Sequence, residues 1–183
     1  MQGIHITGAS GSGVTTLGRA LAARLGAAHL DTDGFYWLPT DPPFHERRAL
    51  PDRLEMLEQA FAAADHGWVL SGSLDGWGNV FIPRFSIVLF VYTPHGIRMA
   101  RIHAREIERY GDAVEPGGAM YEQHLEFLAW ADGYDQGGQT GRSLPRHEAW
   151  LKTLPCPVLR LDGLLPVDVL VETAMSAVEG DAE

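Results

Sequence analysis

The chain has 183 residues, 45% hydrophobic and 21% charged, which is typical of a single globular domain with a full core. Its formal net charge of -10 argues against non-specific nucleic-acid binding, which needs a basic surface. Its single cysteine, Cys156, cannot form an internal disulfide, and no apolar run approaches the roughly 20 residues of a membrane span, so we expect a cytoplasmic protein that binds neither nucleic acid nor membrane.

The first predicted strand, Gly3 to Thr7, leads into a glycine-rich loop. Residues 8–15, GASGSGVT, match the phosphate-binding pattern G-x-x-x-x-G-K-[ST] everywhere except at position 14, where Val replaces Lys. Closely spaced glycines let backbone N–H groups surround a phosphate, and the positive end of the following helix favours the same anion. We therefore expect a nucleotide phosphate tail here, rather than a glycine-rich turn without a ligand. The residues predicted to bind it are Gly8, Ala9, Ser10, Gly11, Ser12, Gly13, Val14, Thr15 and Thr16.

The predicted helix after this loop carries leucines at helical spacing and ends at Gly26. Thr15 occupies the position whose hydroxyl normally binds Mg²⁺. Val14 has no charge to bridge the β- and γ-phosphates of a nucleotide. Either another cation supplies that charge, or catalysis is impaired.

Two acidic residues follow the second predicted strand, Ala28 to Leu30. Alternation along a strand would point the side chains of Asp31 and Asp33 to the same face. In that arrangement Asp31 holds the metal, while Asp33 orients or deprotonates the hydroxyl of an acceptor. The alternative is a pair of aspartates that cap a loop.

An aromatic and proline-rich segment, residues 35–51, is predicted to form a structured loop before a helix that begins at Pro51. Its rings either stack on a base or sugar or pack the loop onto the core. A phosphate-bearing acceptor would need one of Arg47, Arg48 and Arg53, which are otherwise surface charges. The third predicted strand, residues 68–70, precedes Ser71-Gly72-Ser73, where backbone can approach a substrate closely.

The most hydrophobic predicted strand, Phe85 to Tyr92, belongs in the middle of a parallel sheet. It ends in Thr93 rather than in an acidic residue, which makes the two aspartates after the second strand the better metal-side carboxylates. The helix that follows, to about Tyr110, carries arginines on one face, either functional or solvated with local ion pairs. These are Arg98, Arg101, Arg105 and Arg109. We expect at least one of the last three to supply the missing charge; Arg142 and Arg146 are weaker candidates.

The rest of the chain alternates glycine-bearing stretches (111–118 and 133–141) with predicted helices (120–131, 147–154 and 166–178) and a last strand (157–161). Strands that alternate with helices predict a parallel α/β sheet with helices on both faces. In such a sheet ligands bind at the carboxyl ends of the strands, where the glycine loop, the aspartate pair and Ser71–Ser73 fall.

These motifs together resemble the small P-loop kinases of metabolites and nucleotides, the group that includes adenylate kinase and shikimate kinase. Gly8–Thr15 is similar to their ATP loop, and residues 30–33 to the Asp-x-Asp element of shikimate kinases. The resemblance implies a three-layer P-loop NTPase fold over residues 1–183, with a five-stranded parallel sheet, ATP and Mg²⁺ as cofactors, and a helical lid within about 111–141. It also implies that Leu161-Asp162-Gly163 contacts adenine. Val14 departs from the family pattern.

The sequence therefore predicts a Mg²⁺-ATP-dependent phosphotransferase whose acceptor is a nucleotide or another small molecule with a hydroxyl group. Thr15 and Asp31 are the predicted metal ligands. The predicted catalytic residues are Asp33, Arg101, Arg105 and Arg109. The alternative is a nucleotide-binding regulatory protein that hydrolyses ATP poorly or not at all. The replacement of lysine by Val14 favours this alternative.

Overall fold

Strands and helices alternate along the chain in the computed structural model, which describes residues 3–137 and 141–180. The strands are β1 (Gly3–Gly8), β2 (Ala28–Asp31), β3 (Trp68–Ser71), β4 (Ile87–Tyr92) and β5 (Val158–Asp162). The helices are α1 (Val14–Leu25), α2 (Thr32–Tyr36), α3 (Leu50–Ala62), α4 (His95–Tyr110), α5 (Tyr121–Asp132), α6 (Leu144–Leu151) and α7 (Val167–Gly180). Two 3₁₀ segments, Asn79–Arg84 and Gly111–Val114, complete the assigned elements.

All five strands form one parallel sheet in the order β2-β3-β1-β4-β5, which confirms the predicted sheet. β1 lies at its centre, where Ile4 pairs with Val69 of β3 on one side and with Ile87 of β4 on the other. Every residue of β1 is buried, as expected of a central strand covered on both faces.

Helices cover both faces of the sheet, so the core consists of two apolar clusters. One cluster joins β1, α1 and α7 through residues that include Ile6, Leu21 and Ala174. The other joins α3, β3 and the opposite face of β4 and is rich in rings, such as Phe61, which stacks on Trp68 at a centroid distance of 4.0 Å. Because helices pack on both faces of the sheet, the ends of the strands that carry the predicted motifs are held in place.

The region after β2 differs from the sequence prediction. Alternation along a strand was expected to align Asp31 and Asp33, but β2 ends at Asp31 and Asp33 lies in the first turn of α2. Asp31 caps this helix, because its Oδ1 accepts a hydrogen bond of 3.1 Å from the backbone N–H of Asp33. The expected strand geometry was therefore wrong, since a helix cap satisfies the backbone at this point.

The segment between α4 and α6 contains the 3₁₀ segment Gly111–Val114 and helix α5. Residues 138–140, which belong to the predicted lid, lie outside the described residues. Helix α6 begins at Leu144, three residues before the predicted start at His147. Within the described ranges, no helix combines the length and the apolar character needed to cross a bilayer.

Candidate functional site

The loop between β1 and α1 has a backbone conformation that favours glycine and leaves several N–H groups unpaired. Gly11 and Gly13 have positive φ angles of 78° and 97°, and a Cβ at Gly11 would lie 2.6 Å from the carbonyl oxygen of Arg98. The backbone N–H groups of Gly13, Val14, Thr15 and Thr16 donate to no other described residue. Unpaired donors at the start of a helix form a ready site for phosphate.

Val14 contributes to the core rather than to the charge of this loop. Its side chain is 8% exposed and belongs to the apolar cluster that contains Ile4 and Leu17. The residue that replaces the expected lysine therefore packs from the start of α1 into the core, and any cation near the loop has to come from another element.

Arg142, just before α6, brings a cation to the loop. Its Nη2 donates a hydrogen bond of 2.8 Å to Oγ of Ser10, and its guanidinium carbon lies 5.0 Å from the ring centre of Trp130. Burial lowers the pKa of Arg142, and the nearby carboxylate of Asp33 opposes that shift. A guanidinium at this position can pair with phosphate oxygens.

Arg98 holds the same loop from inside the protein. Its side chain is 1% exposed and donates to the carbonyl oxygens of Ser10, at 3.5 Å, and Ala131, at 3.4 Å. It also forms an ion pair of 2.9 Å with Asp135. These contacts tie the loop, α4 and the end of α5 together, so Arg98 has a structural role that the sequence pattern did not indicate.

The three arginines predicted to be catalytic lie in different surroundings along α4. Arg101 donates to the carbonyl oxygen of Gly163, at 3.1 Å, in the loop after β5. Arg105 and Arg109 line the large cavity described below, and Arg105 also contacts Glu106 at 3.1 Å. Arg101 therefore lies at the loop after β5, whereas Arg105 and Arg109 lie at the cavity, because α4 extends from one to the other.

Thr15, in the first turn of α1, lies next to Asp31, the last residue of β2. Oγ1 of Thr15 donates a hydrogen bond of 3.1 Å to Oδ2 of Asp31. A hydroxyl and a carboxylate are ligands that suit Mg²⁺, which usually takes only one or two protein ligands and keeps several waters. In the described residues no group of three or more His, Cys, Asp or Glu side chains could hold a metal.

Asp33 lines the cavity and is an unusual carboxylate. Its side chain remains open to solvent, yet the surrounding walls raise its pKa through desolvation, and the charge of Asp31 raises it further. Arg142 and Arg105 partly oppose these effects by attraction. A carboxylate with a raised pKa accepts a proton more readily than an ordinary aspartate.

The cavity beside these residues has a volume of about 500 Å³. Its walls come from the phosphate loop, α2, the aromatic segment, the segment after β3, α4, α5 and the residues before α6. The polar, charged and aromatic side chains that line it include Ser10, Asp33, Trp37, Phe44, Arg47, Asp75, Trp77, Arg105, Arg109, Trp130 and Arg142. The cavity joins charged and aromatic groups beside the phosphate loop, a combination typical of small-molecule sites.

The segment after β3 closes tightly against α2 at the cavity wall. Gly72 has a φ of 114°, and a Cβ there would collide with Oγ1 of Thr32. That hydroxyl accepts a hydrogen bond of 3.1 Å from the backbone N–H of Ser73. Glycine is therefore required at position 72 for α2 and the segment after β3 to approach each other this closely. Farther along the same segment, Asp75 forms an ion pair of 2.7 Å with Arg146.

No protein-family model matches this chain. The sequence is 42% identical over 174 residues, covering 95% of this chain, to a Bacillus subtilis (strain 168) protein described as uncharacterized protein YqaC, of which the match covers 96%. Among solved structures, shikimate kinase from Acinetobacter baumannii is 17% identical, with a TM-score of 0.59 and coverage of 99% of this chain and 94% of that chain. Deoxyadenosine kinase from M. mycoides is 15% identical, with a TM-score of 0.55 and coverage of 98% and 100%. These likenesses confirm the predicted fold.

Proposed function

Because this chain belongs to the family of the Bacillus subtilis protein YqaC and has the fold of the small P-loop kinases, we propose that it is a Mg²⁺-ATP-dependent phosphotransferase. Its acceptor would be a nucleotide or another small molecule with a hydroxyl group. The observation that carries this proposal is a loop with unpaired N–H groups that opens beside a cavity containing a carboxylate and several arginines. Such an arrangement suits phosphoryl transfer, which depends on positioning and electrostatics.

Residues 8–16 would bind the donor phosphates of ATP through the backbone, as the unpaired N–H groups of Gly13 to Thr16 support. Thr15 and Asp31 would hold Mg²⁺, which neutralises phosphate charge when bound, and their adjacent oxygens suit that ion. We also propose that residues 1–183 form one domain in the cytoplasm, with a lid over about 111–141.

Arg142 is the best candidate for the cation that replaces the P-loop lysine, because it already contacts Ser10 of the loop. Arg105 and Arg109, which line the same cavity from α4, would add charge. Arg101, which contacts Gly163, would act at the nucleotide end of the site rather than at the acceptor. Guanidinium groups stabilise the spreading negative charge of the transferred phosphoryl group.

Asp33 would orient the acceptor hydroxyl and accept its proton. The hydroxyl oxygen forms a bond to the γ-phosphorus while the bond from that phosphorus to the β–γ bridging oxygen breaks, so the products are ADP and the phosphorylated acceptor. The raised pKa of Asp33 brings its proton affinity closer to the value that suits a general base near neutral pH.

A second candidate function is that of a nucleotide-binding regulatory protein with little or no transfer activity. The burial of Val14 in the core favours it, because the usual catalytic ammonium is absent from position 14. The two functions differ in one measurable property, which is whether phosphate reaches an acceptor.

The test combines calorimetry of ATP binding, with and without Mg²⁺, and a transfer screen against nucleoside monophosphates, nucleosides and small alcohols. A kinase binds Mg²⁺-ATP and phosphorylates at least one acceptor above background, and the Asp33→Asn variant loses that transfer but still binds ATP. Binding of ATP without transfer to any acceptor would favour the regulatory protein. Absence of affinity for ATP and GTP would contradict both.

A further inference from the structure

Three carbonyl oxygens of the loop between β1 and α1 accept hydrogen bonds from buried side chains. The oxygen of Ser10 accepts from Nη1 of Arg98 at 3.5 Å, and that of Ser12 accepts from Oγ1 of Thr93 at 3.2 Å. The oxygen of Ala9 accepts from Oγ of Ser12 at 2.8 Å. The residues that donate, Arg98, Thr93 and Ser12, are each 1% exposed. The carbonyl oxygens of this loop are therefore held on its buried side.

The direction of these oxygens determines the direction of the N–H groups that follow them. The peptide bonds of the loop are trans, and a trans peptide points its carbonyl oxygen and its N–H to opposite sides. Because Arg98 holds the oxygen of Ser10, the N–H of Gly11 points away from the interior. The N–H of Gly13 does the same after the oxygen of Ser12. Both N–H groups donate to no other described residue, so they are free to bind an anion.

The guanidinium group of Arg98 is itself held by the end of α5 and the residues after it. It pairs with Asp135 at 2.9 Å, it donates to the carbonyl oxygen of Ala131 at 3.4 Å, and its carbon lies 5.0 Å from the ring centre of Tyr134. The backbone of Arg98 also lies against the loop, because a Cβ at Gly11 would be 2.6 Å from its carbonyl oxygen. Arg98 therefore contacts the loop through both its backbone and its side chain.

The ion pair of Arg98 and Asp135 is a costly way to stabilise the fold. The two side chains are 1% and 21% exposed, so both charges have lost most of their water. Within the described ranges, Nε of Arg98 and Oδ1 of Asp135 have no hydrogen-bond partner. Replacement of a buried ion pair by uncharged groups of similar size is often neutral or stabilising. Orientation of the loop gives this buried charge a function that stability alone does not.

We propose that Arg98 is a positioning residue for ATP binding, which holds the carbonyl oxygen of Ser10 so that the N–H of Gly11 faces the donor phosphates. Asp135 keeps the guanidinium group in place. Without this contact the peptide can turn, and its oxygen would then face the phosphates and repel them. Because Val14 supplies no ammonium group, binding depends strongly on the N–H groups of the loop. The inference rests on the proposed phosphotransferase function and identifies a buried residue that prepares its phosphate site.

The test compares the full chain with the double variant Arg98→Met/Asp135→Asn, which removes both charges and leaves neither buried alone. Calorimetry measures the binding of the non-hydrolysable analogue β,γ-imido-ATP with Mg²⁺, and ¹H–¹⁵N spectra follow the amide of Gly11. In the wild type, the Gly11 amide proton should shift downfield when the analogue binds. In the double variant we expect that shift to be lost and binding to be at least about tenfold weaker, the scale of one hydrogen bond to a charged group. The urea midpoint should stay close to that of the wild type.

Thr93→Val is the matched comparison, because it removes the hydroxyl that holds the oxygen of Ser12 and nearly keeps the shape of the side chain. It should reduce the downfield shift of Gly13 and leave that of Gly11. A general loss of loop structure would instead reduce both shifts in both variants. The pattern of the two shifts therefore separates orientation of single peptides from a merely structural role.

Two further variants complete the comparison. Arg98→Lys keeps a charge beside Asp135 but has one nitrogen where Arg98 has several, so its affinity for the analogue should lie between those of the wild type and the double variant. Arg84→Met/Glu58→Gln removes an exposed ion pair and should change neither the affinity nor the amide shifts.

Wild-type affinity in the Arg98 variants would overturn the inference, and so would equal loss of the Gly11 and Gly13 shifts in the double variant and in Thr93→Val. If the double variant does not fold, Arg98→Lys and the wild-type spectrum decide. A Gly11 amide proton that does not move when the analogue binds to the wild type overturns the inference by itself. Failure of the wild type to bind the analogue would contradict the proposed function instead.

Discussion

In the proposed mechanism, a distant arginine takes the role that a lysine has in the usual phosphate loop. Val14 packs into the core at the start of α1, and Arg142 contacts the hydroxyl of Ser10 from a point 132 residues later in the chain. A distant cation can replace a local one because electrostatic stabilisation depends on where the charge lies, not on which element carries it.

The variant Arg142→Gln tests this division. It keeps hydrogen-bonding groups near Ser10 but removes the charge, so we expect the rate of phosphoryl transfer to fall about 100-fold, the usual scale for losing one preorganised donor. Arg142→Lys should recover part of the rate, since charge returns without the planar fork. Steady-state kinetics with an acceptor from the screen measures the effect, and Arg19→Gln, exposed on α1, serves as the control. A wild-type rate in Arg142→Gln would show that another group supplies the charge.

The sequence identified the phosphate loop because glycine spacing, strand and helix all occur locally. It ranked Arg142 below the arginines of α4, since no local pattern distinguishes an arginine after a glycine-rich stretch from a solvated one. Arg142 contacts Ser10, which lies 132 residues earlier in the chain. Contacts of this kind depend on tertiary structure, and only the fold brings them together.

At the scale of elements, short segments at the carboxyl ends of β2 and β3 shape the site. Asp31 caps α2 and contacts Thr15, so the carboxylate proposed to bind the metal is also the one that starts a helix. The sequence allowed either a continued strand or a cap at this point, because aspartate favours both loop ends and helix starts. Only the fold decided between them.

Gly72→Ala tests how closely α2 and the segment after β3 must approach each other. Alanine at a φ of 114° is strained, and its Cβ would collide with Oγ1 of Thr32. We expect a loss of about 3 kcal/mol in the free energy of unfolding, from backbone strain and overpacking together. Urea denaturation measures this loss. Gly96→Ala, on α4 with no neighbour near its Cβ, should cost nothing and is the matched control. An unchanged midpoint for Gly72→Ala would mean that the two segments separate easily.

At the scale of the whole molecule, two buried histidines link stability to pH. Desolvation lowers the pKa of His5 to about 3 and that of His147 to about 4, so both are neutral in the folded protein at pH 7. The unfolded chain binds protons below a pKa of about 6.5. The stability that the two neutral histidines contribute is therefore fully present above about pH 6.5, and it is lost as pH falls towards their folded pKa values of about 4 and 3.

Between pH 7.5 and pH 5 we expect each of these histidines to cost about 2 kcal/mol of folding free energy. Urea unfolding at several pH values checks this, with pH 5 as the lower limit so that carboxylates stay mostly ionised. The variants His5→Asn and His147→Gln should each reduce the loss of folding free energy between pH 7.5 and pH 5 by about 2 kcal/mol, whereas His66→Gln, at an exposed position, should leave that loss unchanged. A slope that neither buried variant reduces would contradict this linkage.

The strand order β2-β3-β1-β4-β5 places the first strand of the chain at the centre of the sheet. His5 meets the carbonyl oxygen of Leu70, 65 residues later, and Ser10 meets Arg98, 88 residues later. On the ribosome, the first strand therefore emerges long before either neighbour exists, and the loop after it stays unsupported until α4 has been synthesised. Nascent chains stalled before residue 98 should lack nucleotide affinity, which makes this loop a late product of vectorial synthesis although it is encoded first.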